Sequence, residues 1–447
     1  MSSTPIAIVC TLIVTIACST AHATITTPER NTLVAFYTGT NGPGWVTSSG
    51  WNGAAGTECN WYGITCDVTS SHVTGISLVD NNLTGRLPSL NALTALQQFE
   101  VGTADQCGDA HLNQIGGALP DLSGMTALST FSVSCNLFSG SIPSLTTLAN
   151  LGFFSVDNNA LTGAIPALST LTNLVYFQAE NNQLRGTIPQ LAGLMNLSAF
   201  DVDTNQLTGS IPALAGLTTL AYFYVYENQL SGSIPSLAGL TNLYSFDVNS
   251  NDLTGSLPTL TGLANLGYFY AGKNQLSGAI PSLAGLENLN EFYVYGNQLT
   301  GSIPSLTGLS SLSYFYVGVN QLTGTIPSLA GLTNLSYFTA GYNQLTGTIP
   351  PLAGLTSLID LYVGNNQLTG SIPDLTGLVA LTDFYVGANH LDGTLPVAPG
   401  SLAAEHSSLC PNDFPGSSYI DAPAWDAATG FTPWFAPCDT IFANGFE

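Results

Sequence analysis

The chain has 447 residues, 45% of them hydrophobic, and carries 4 lysines and arginines against 27 aspartates and glutamates, a formal net charge of −23. Arg30, Arg86, Arg185 and Lys273 are too few to neutralise a run of phosphates, which argues against nucleic acid or an anionic membrane as partner. Length alone suggests about three ordinary domains, a count that the internal periodicity overturns.

Residues 6–17, IAIVCTLIVTIA, form an apolar run too short to span a bilayer, and Ala21–Ala23 reads as a small-x-small cleavage signal. A signal peptide over residues 1–23 is therefore expected, although its first five residues lack the usual lysine or arginine. A faint likeness to a lipoprotein signal at Cys18 is weakened by Thr15, which stands where an aliphatic residue belongs. No later segment is apolar and long enough to cross a membrane, so a secreted chain is expected, released or attached at the cell surface and not integral to a membrane. Six of the eight cysteines follow residue 23 and fall into three sequence neighbourhoods, for which the expected pairs are Cys59–Cys66, Cys107–Cys135 and Cys410–Cys438. No CxxC pair or histidine cluster marks a metal site, and no cofactor is expected.

Residues 24–72 precede the repeats and carry Leu33, Phe36, Trp45, Trp51, Cys59, Trp61, Gly63 and Cys66. From residue 73 to 396 one pattern returns: the asparagine of NQLTG recurs every 23 residues from Asn113 to Asn389, and an earlier unit centres on Asn81. Asn81 and Asn113 are 32 residues apart, so the second of about 14 units holds a nine-residue insertion, in which Cys107 lies. Within the unit Leu217–Gly239, the stretch Tyr222–Tyr226 alternates with period two and reads as a short strand with Phe223 and Val225 on its inner face. A turn follows, at Asn228, Gly232 and Pro235. One such unit cannot bury its own apolar face, so the units must stack. Residues 397–438 shift to Pro, Gly and Ser with Trp425 and Trp434, a composition expected of an irregular end cap, and residues 439–447 form a short tail.

The unit resembles the leucine-rich repeat, LxxLxLxxNxL, extended by the LxGxIP signature of the plant-type subclass, and the stretch Thr27–Cys66 resembles the cap that precedes such repeats. The resemblance implies a solenoid with a parallel β-sheet on its concave face and loops with short 3₁₀ or β segments on the convex side. It implies a structural role for the cap tryptophans. The short IFANGFE ending is similar to tails of exported bacterial proteins.

With Phe223 and Val225 inward, Tyr222, Tyr224 and Tyr226 face the concave surface. Four residues before each asparagine, that surface carries Asp201, Tyr224, Asp247, Tyr270, Tyr293, Tyr316, Tyr362 and Tyr385. Six before, it carries Tyr222, Tyr268, Tyr314 and Tyr337, and two before, Asp203, Tyr226 and Tyr295. Glu227 adds to the acids, which gather ahead of the tyrosines along the chain. Such exposed rings stabilise a sheet by cross-strand packing or recognise a ligand, and glycines at 318, 341, 364 and 387 are expected to leave a groove between them. The expected ligand is a protein or peptide, with carbohydrate as the alternative and a passive structural or ice-binding solenoid as a third reading. The acids read as a solvated patch, without a calcium-loop motif. No catalytic motif occurs and nothing deep or apolar is expected to raise a carboxyl pKa, so catalysis is not expected.

Overall fold

The computed structural model describes residues 24–103, 107, 112–415 and 422–436. The expected signal peptide 1–23, the tail 439–447, Cys438 and most of the insertion around Cys107 lie outside the described residues.

A helix over Thr27–Gly39 opens the fold, and its start is written locally. The Glu29 amide donates to Thr26 Oγ1 at 3.4 Å and the Thr26 amide donates to Glu29 Oε2 at 2.9 Å, a capping box that satisfies two otherwise unpaired donors. Glu29 is buried, and its Oε1 accepts from the Val73 amide at 3.2 Å. The carboxylate that starts the helix thus also joins it to the first repeat. Leu33 and Phe36 are fully buried on one helix face, where Phe36 packs 6.0 Å from both Trp45 and Trp51. The indole N–H groups of Trp45, Trp51 and Trp61 donate to Thr40 O, Tyr62 O and Thr57 Oγ1, so all three tryptophans are satisfied members of the cap core. Cys59 and Cys66 are joined by a disulfide in the same cap.

Ile64–Cys66 pairs antiparallel with Val73–Ser77, and each later strand of the 16-stranded sheet runs parallel to its neighbour. Strands are three residues long through most of the sheet, as in Tyr222–Tyr224 and Ser245–Asp247, and their register joins residues 23 apart: Phe223 opposite Phe246, Tyr224 opposite Asp247. The middle residue of each points inward. From Phe99 to Phe338 these rings form a continuous stack with centroids 5.4–5.7 Å apart. Phe36 meets Phe99 edge-on at 6.2 Å, and Trp425 of the helix Pro423–Thr429 packs 5.9 Å from Phe384 at the other end. Both exposed ends of the apolar column are thereby covered.

The repeated asparagine is a hydrogen-bond hub. Asn228 Nδ2 donates to the carbonyls of Val202, Val225 and Tyr226 at 3.0–3.2 Å, while its Oδ1 accepts from the Leu207 amide at 2.9 Å. It satisfies buried backbone groups of its own turn and of the preceding one, which explains why only this side chain recurs there.

The strand expected over Tyr222–Tyr226 ends at Tyr224. Backbone pairing nevertheless continues, with Val225 N–H donating to Asp247 O and Glu227 N–H to Asn249 O, both at 3.0 Å. Glu227 then adopts φ 50° and turns the chain. Asn158, Asn181, Thr204, Ser250 and Val319 hold the same left-handed conformation in their own turns. On the flank, an 8-stranded sheet runs from Thr84–Arg86 to Asp252–Thr254 and stops; later turns pair there only in twos or through single bridges. Cys107 and Cys135 are disulfide-bonded, and Cys410 is also disulfide-bonded, its expected partner Cys438 lying outside the described residues. Among the described residues no helix is long and apolar enough to cross a membrane.

Candidate ligand-binding face

The 23-residue register sets the outward side chains in rows. One row runs Gln178, Asp201, Tyr224, Asp247, Tyr270, Tyr293 across six adjacent strands. Acid and ring alternate through its middle, and rings alone continue to Tyr316. A parallel row runs Ala199, Tyr222, Ser245, Tyr268, Glu291, Tyr314, Tyr337. Neighbouring strands lie about 4.8 Å apart, close enough for the rings to touch: Tyr314 stacks on Tyr337 at 4.9 Å with an interplanar angle of 7°, and Tyr362 meets Tyr385 at 5.2 Å. Because they lean on one another, the rings are half-buried, and of the tyrosines expected on this face only Tyr222 is exposed.

Asp201, Asp203, Tyr224, Tyr226, Asp247, Tyr268 and Tyr270 are brought together around a cavity of about 440 Å³, together with Tyr244 and Ser245. Tyr244 sits seven residues before its asparagine, outside the alternation that the sequence reading followed, yet it contacts Tyr222 at 5.8 Å and Tyr268 at 5.3 Å. Tyr342, one residue before its asparagine, likewise stacks with Tyr362 at 6.3 Å. Tyr293, Tyr295, Tyr314, Tyr316, Tyr337, Tyr362 and Tyr385 lie further along the chain and do not line the cavity. Glu227 is on the exposed corner after the strand rather than on the concave row, because its φ of 50° turns it away.

The expected glycine groove is not there. A Cβ on Gly341 would collide with the Tyr362 ring, and one on Gly272 with the Tyr293 ring. Tyr295 and Thr339 close on Gly318, while at Gly364 and Gly387 the next turn's backbone comes close. The small residues admit the rings and carbonyls of neighbouring turns, so the surface is filled where it was expected to be open.

The acids also differ from the expected solvated patch. Burial pushes the Asp247 carboxyl up to about 7, with the Asp203 and Glu227 charges adding to the effect of desolvation and an Asn249 hydrogen bond opposing it. Asp201 and Glu180 are raised well above the ordinary carboxylate range, chiefly by burial and then by neighbouring acids. Asp360, at the far end of the face, is raised to about 7 by burial and by Asp383. The rows place carboxyls among half-buried rings, which removes water from around them. Arg30 and Arg86 lie in or beside the cap, Arg185 donates to Gln206 on the flank, and Lys273 occupies an exposed corner. None of the four faces this array.

Residues 27–67 match the family described as leucine rich repeat N-terminal domain. Between 79% and 87% of the chain is similar to solved plant receptor ectodomains. The chain is a leucine-rich-repeat protein of the plant-type class. The TDR receptor is 28% identical with a TM-score of 0.65, over 79% of this chain and 66% of that one. The Arabidopsis receptor kinase HAESA, solved with the peptide hormone IDA and the co-receptor SERK1, is 29% identical with a TM-score of 0.64, over 87% and 70%. The plant peptide hormone receptor RGFR1, in complex with RGF2, is 27% identical with a TM-score of 0.64, over 80% and 68%. This leucine-rich-repeat chain thus spans about two thirds of the length of these ectodomains. No curated protein matches it in sequence.

Proposed function

We propose that the solenoid is an extracellular binding protein that takes a protein or peptide ligand along its concave tyrosine and acid face. The observation that carries this reading is the 440 Å³ cavity on that face, walled by rings and carboxyls from four consecutive turns. Rigid tyrosines with a polar tip give contact area at low entropic cost, and an extended ligand crossing the strands would meet one such group per turn. HAESA and RGFR1, both solved with peptide hormones, support the peptide class. The disulfides fit an oxidising compartment, and a binding role without catalysis accords with the receptor ectodomains. The boundaries 24–72, 73–396 and 397–438 are proposed as cap, repeats and cap.

The test is a random dodecapeptide display library, panned in parallel on the native chain and on a Tyr224→Ala, Tyr268→Ala, Tyr270→Ala variant, which removes three of the rings that wall the cavity. Peptides captured by the native chain are expected to be lost on the variant while its melting temperature stays within a few degrees. Capture that persists on the variant would show the rings to be packing only.

Carbohydrate is the second reading, favoured by a groove of about 550 Å³ in which the amides of Asn242, Asn265 and Asn288 lie beside Tyr244 and Tyr268. A glycan array separates it from the first.

A further inference from the structure

The cavity's row of alternating acid and ring has a chemistry of its own. Asp201, Tyr224 and Asp247 stand at one register on three adjacent strands. The two carboxyls therefore lie about 10 Å apart across the Tyr224 ring. Asp203 and Tyr226 line one side, and Tyr270, whose hydroxyl donates to Glu291 at 2.7 Å, closes the other. The rings give π-faces, the carboxyls give acceptors, and no lysine or arginine of the chain answers their charge.

We propose that this cavity takes an arginine side chain of the bound peptide, with its guanidinium lying over Tyr224 and reached from either side by Asp201 and Asp247. This inference rests on the concave-face reading and names the chemistry that the face selects. Arginine suits the site better than lysine because a planar, weakly hydrated guanidinium stacks on an aromatic face while its N–H groups fork towards carboxylates. A compact ammonium offers neither the plane nor the reach to both acids.

The site carries its own proton response. Glu180, Asp203, Glu227, Tyr222, Tyr224, Tyr226, Tyr244, Tyr268 and Tyr270 are the titratable groups around Asp201 and Asp247, and none supplies a positive charge. Bound protons offset the crowding in the free protein. A guanidinium takes over that task, so binding releases protons and strengthens as the pH rises from about 6 to about 8.

The experiment uses fluorescent hexapeptides Gly-Arg-Arg-Arg-Arg-Gly, with lysine and citrulline versions, and the full chain at about 0.15 M salt. The arginine peptide is expected to bind tightest and the citrulline peptide not at all. Asp201→Asn with Asp247→Asn weakens the arginine peptide on the order of tenfold or more. A charge-matched control, Asp121→Asn with Asp374→Asn on exposed turns, changes it by less than roughly twofold. Equal losses in both variants, equal binding of arginine and lysine, or no saturable binding at millimolar peptide would each overturn the proposal. Failure here is separable from failure of the face itself. If the display library yields tyrosine-dependent peptides that lack arginine and ignore the Asp201→Asn, Asp247→Asn change, the face binds and the arginine pocket falls. If it yields no tyrosine-dependent peptide, the face reading falls as well.

Discussion

The Tyr293 ring lies across Gly272 of the preceding turn and fills the space that a Cβ there would need. Gly272→Ala is therefore expected to push the ring off its bed and to destabilise the protein by about 1–3 kcal/mol. Tyr293→Ala should relieve the clash, so the double variant should be less unstable than the two single losses summed, by more than about 0.5 kcal/mol in a denaturation cycle. Additive losses would show that the two positions do not compete for one space.

Removing the Asn228 amide takes from the Leu207 N–H the acceptor that holds it, while the carbonyls of Val202, Val225 and Tyr226 each keep one donor, from the Asn205 and Asn251 side chains and the Thr204 amide. Asn228→Ala should cost about 1–3 kcal/mol, the cost of one buried N–H left unpaired. Hydrogen exchange gives the local readout: the Leu207 amide should lose protection ahead of amides several turns away. Uniform protection across the solenoid would contradict this.

The concave acids give the stability a pH dependence of definite sign. In the unfolded chain Asp247 and Asp360 titrate near 4, and in the folded chain both are raised to about 7. Between those values the folded state holds more protons than the unfolded state. The associated stability is full below about pH 4 and falls as the pH rises through 7, with Asp201 and Glu180 extending the fall upward. Urea midpoints should be lower at pH 8 than at pH 5, and Asp247→Asn with Asp360→Asn should flatten the difference. A midpoint that climbs with pH would contradict the burial of these groups.

Val319 holds φ 52° at the corner where other turns place Asn158, Asn181 and Asn365. A β-branched residue is strained there, by roughly 1–2 kcal/mol. Val319→Asn should therefore raise stability by about 1 kcal/mol, read as a higher denaturation midpoint. No gain would mean that the half-exposed isopropyl group makes compensating contacts.

The stacking of the solenoid was legible because a 23-residue period repeats every packing decision. Phe223, Val225 and Leu230 recur as the inner face, and a polar Asn228 among them has to be satisfying backbone. The face of each tyrosine also follows from alternation. Which way a ring leans does not, since Tyr293 lies over Gly272 only once the neighbouring turn is in place. Strand periodicity likewise passed over Tyr244 and Tyr342, which reach the face from just outside the alternating positions. The raised carboxyls escaped the sequence for the same reason: water is displaced from Asp201 and Asp247 by rings on adjacent strands, and no single strand shows it.

The asparagine hubs have a further consequence for the architecture. Each bonds only its own turn and the one before, as Asn228 does, and no contact of this kind measures the total number of turns. Excision or duplication of a whole 23-residue block re-creates the same joints at the cut. Loss of a few residues inside a turn leaves two hubs out of step. Gene rearrangement can therefore slide the acid pocket along the tyrosine rows, or lengthen the rows beyond it, while the fold itself is preserved.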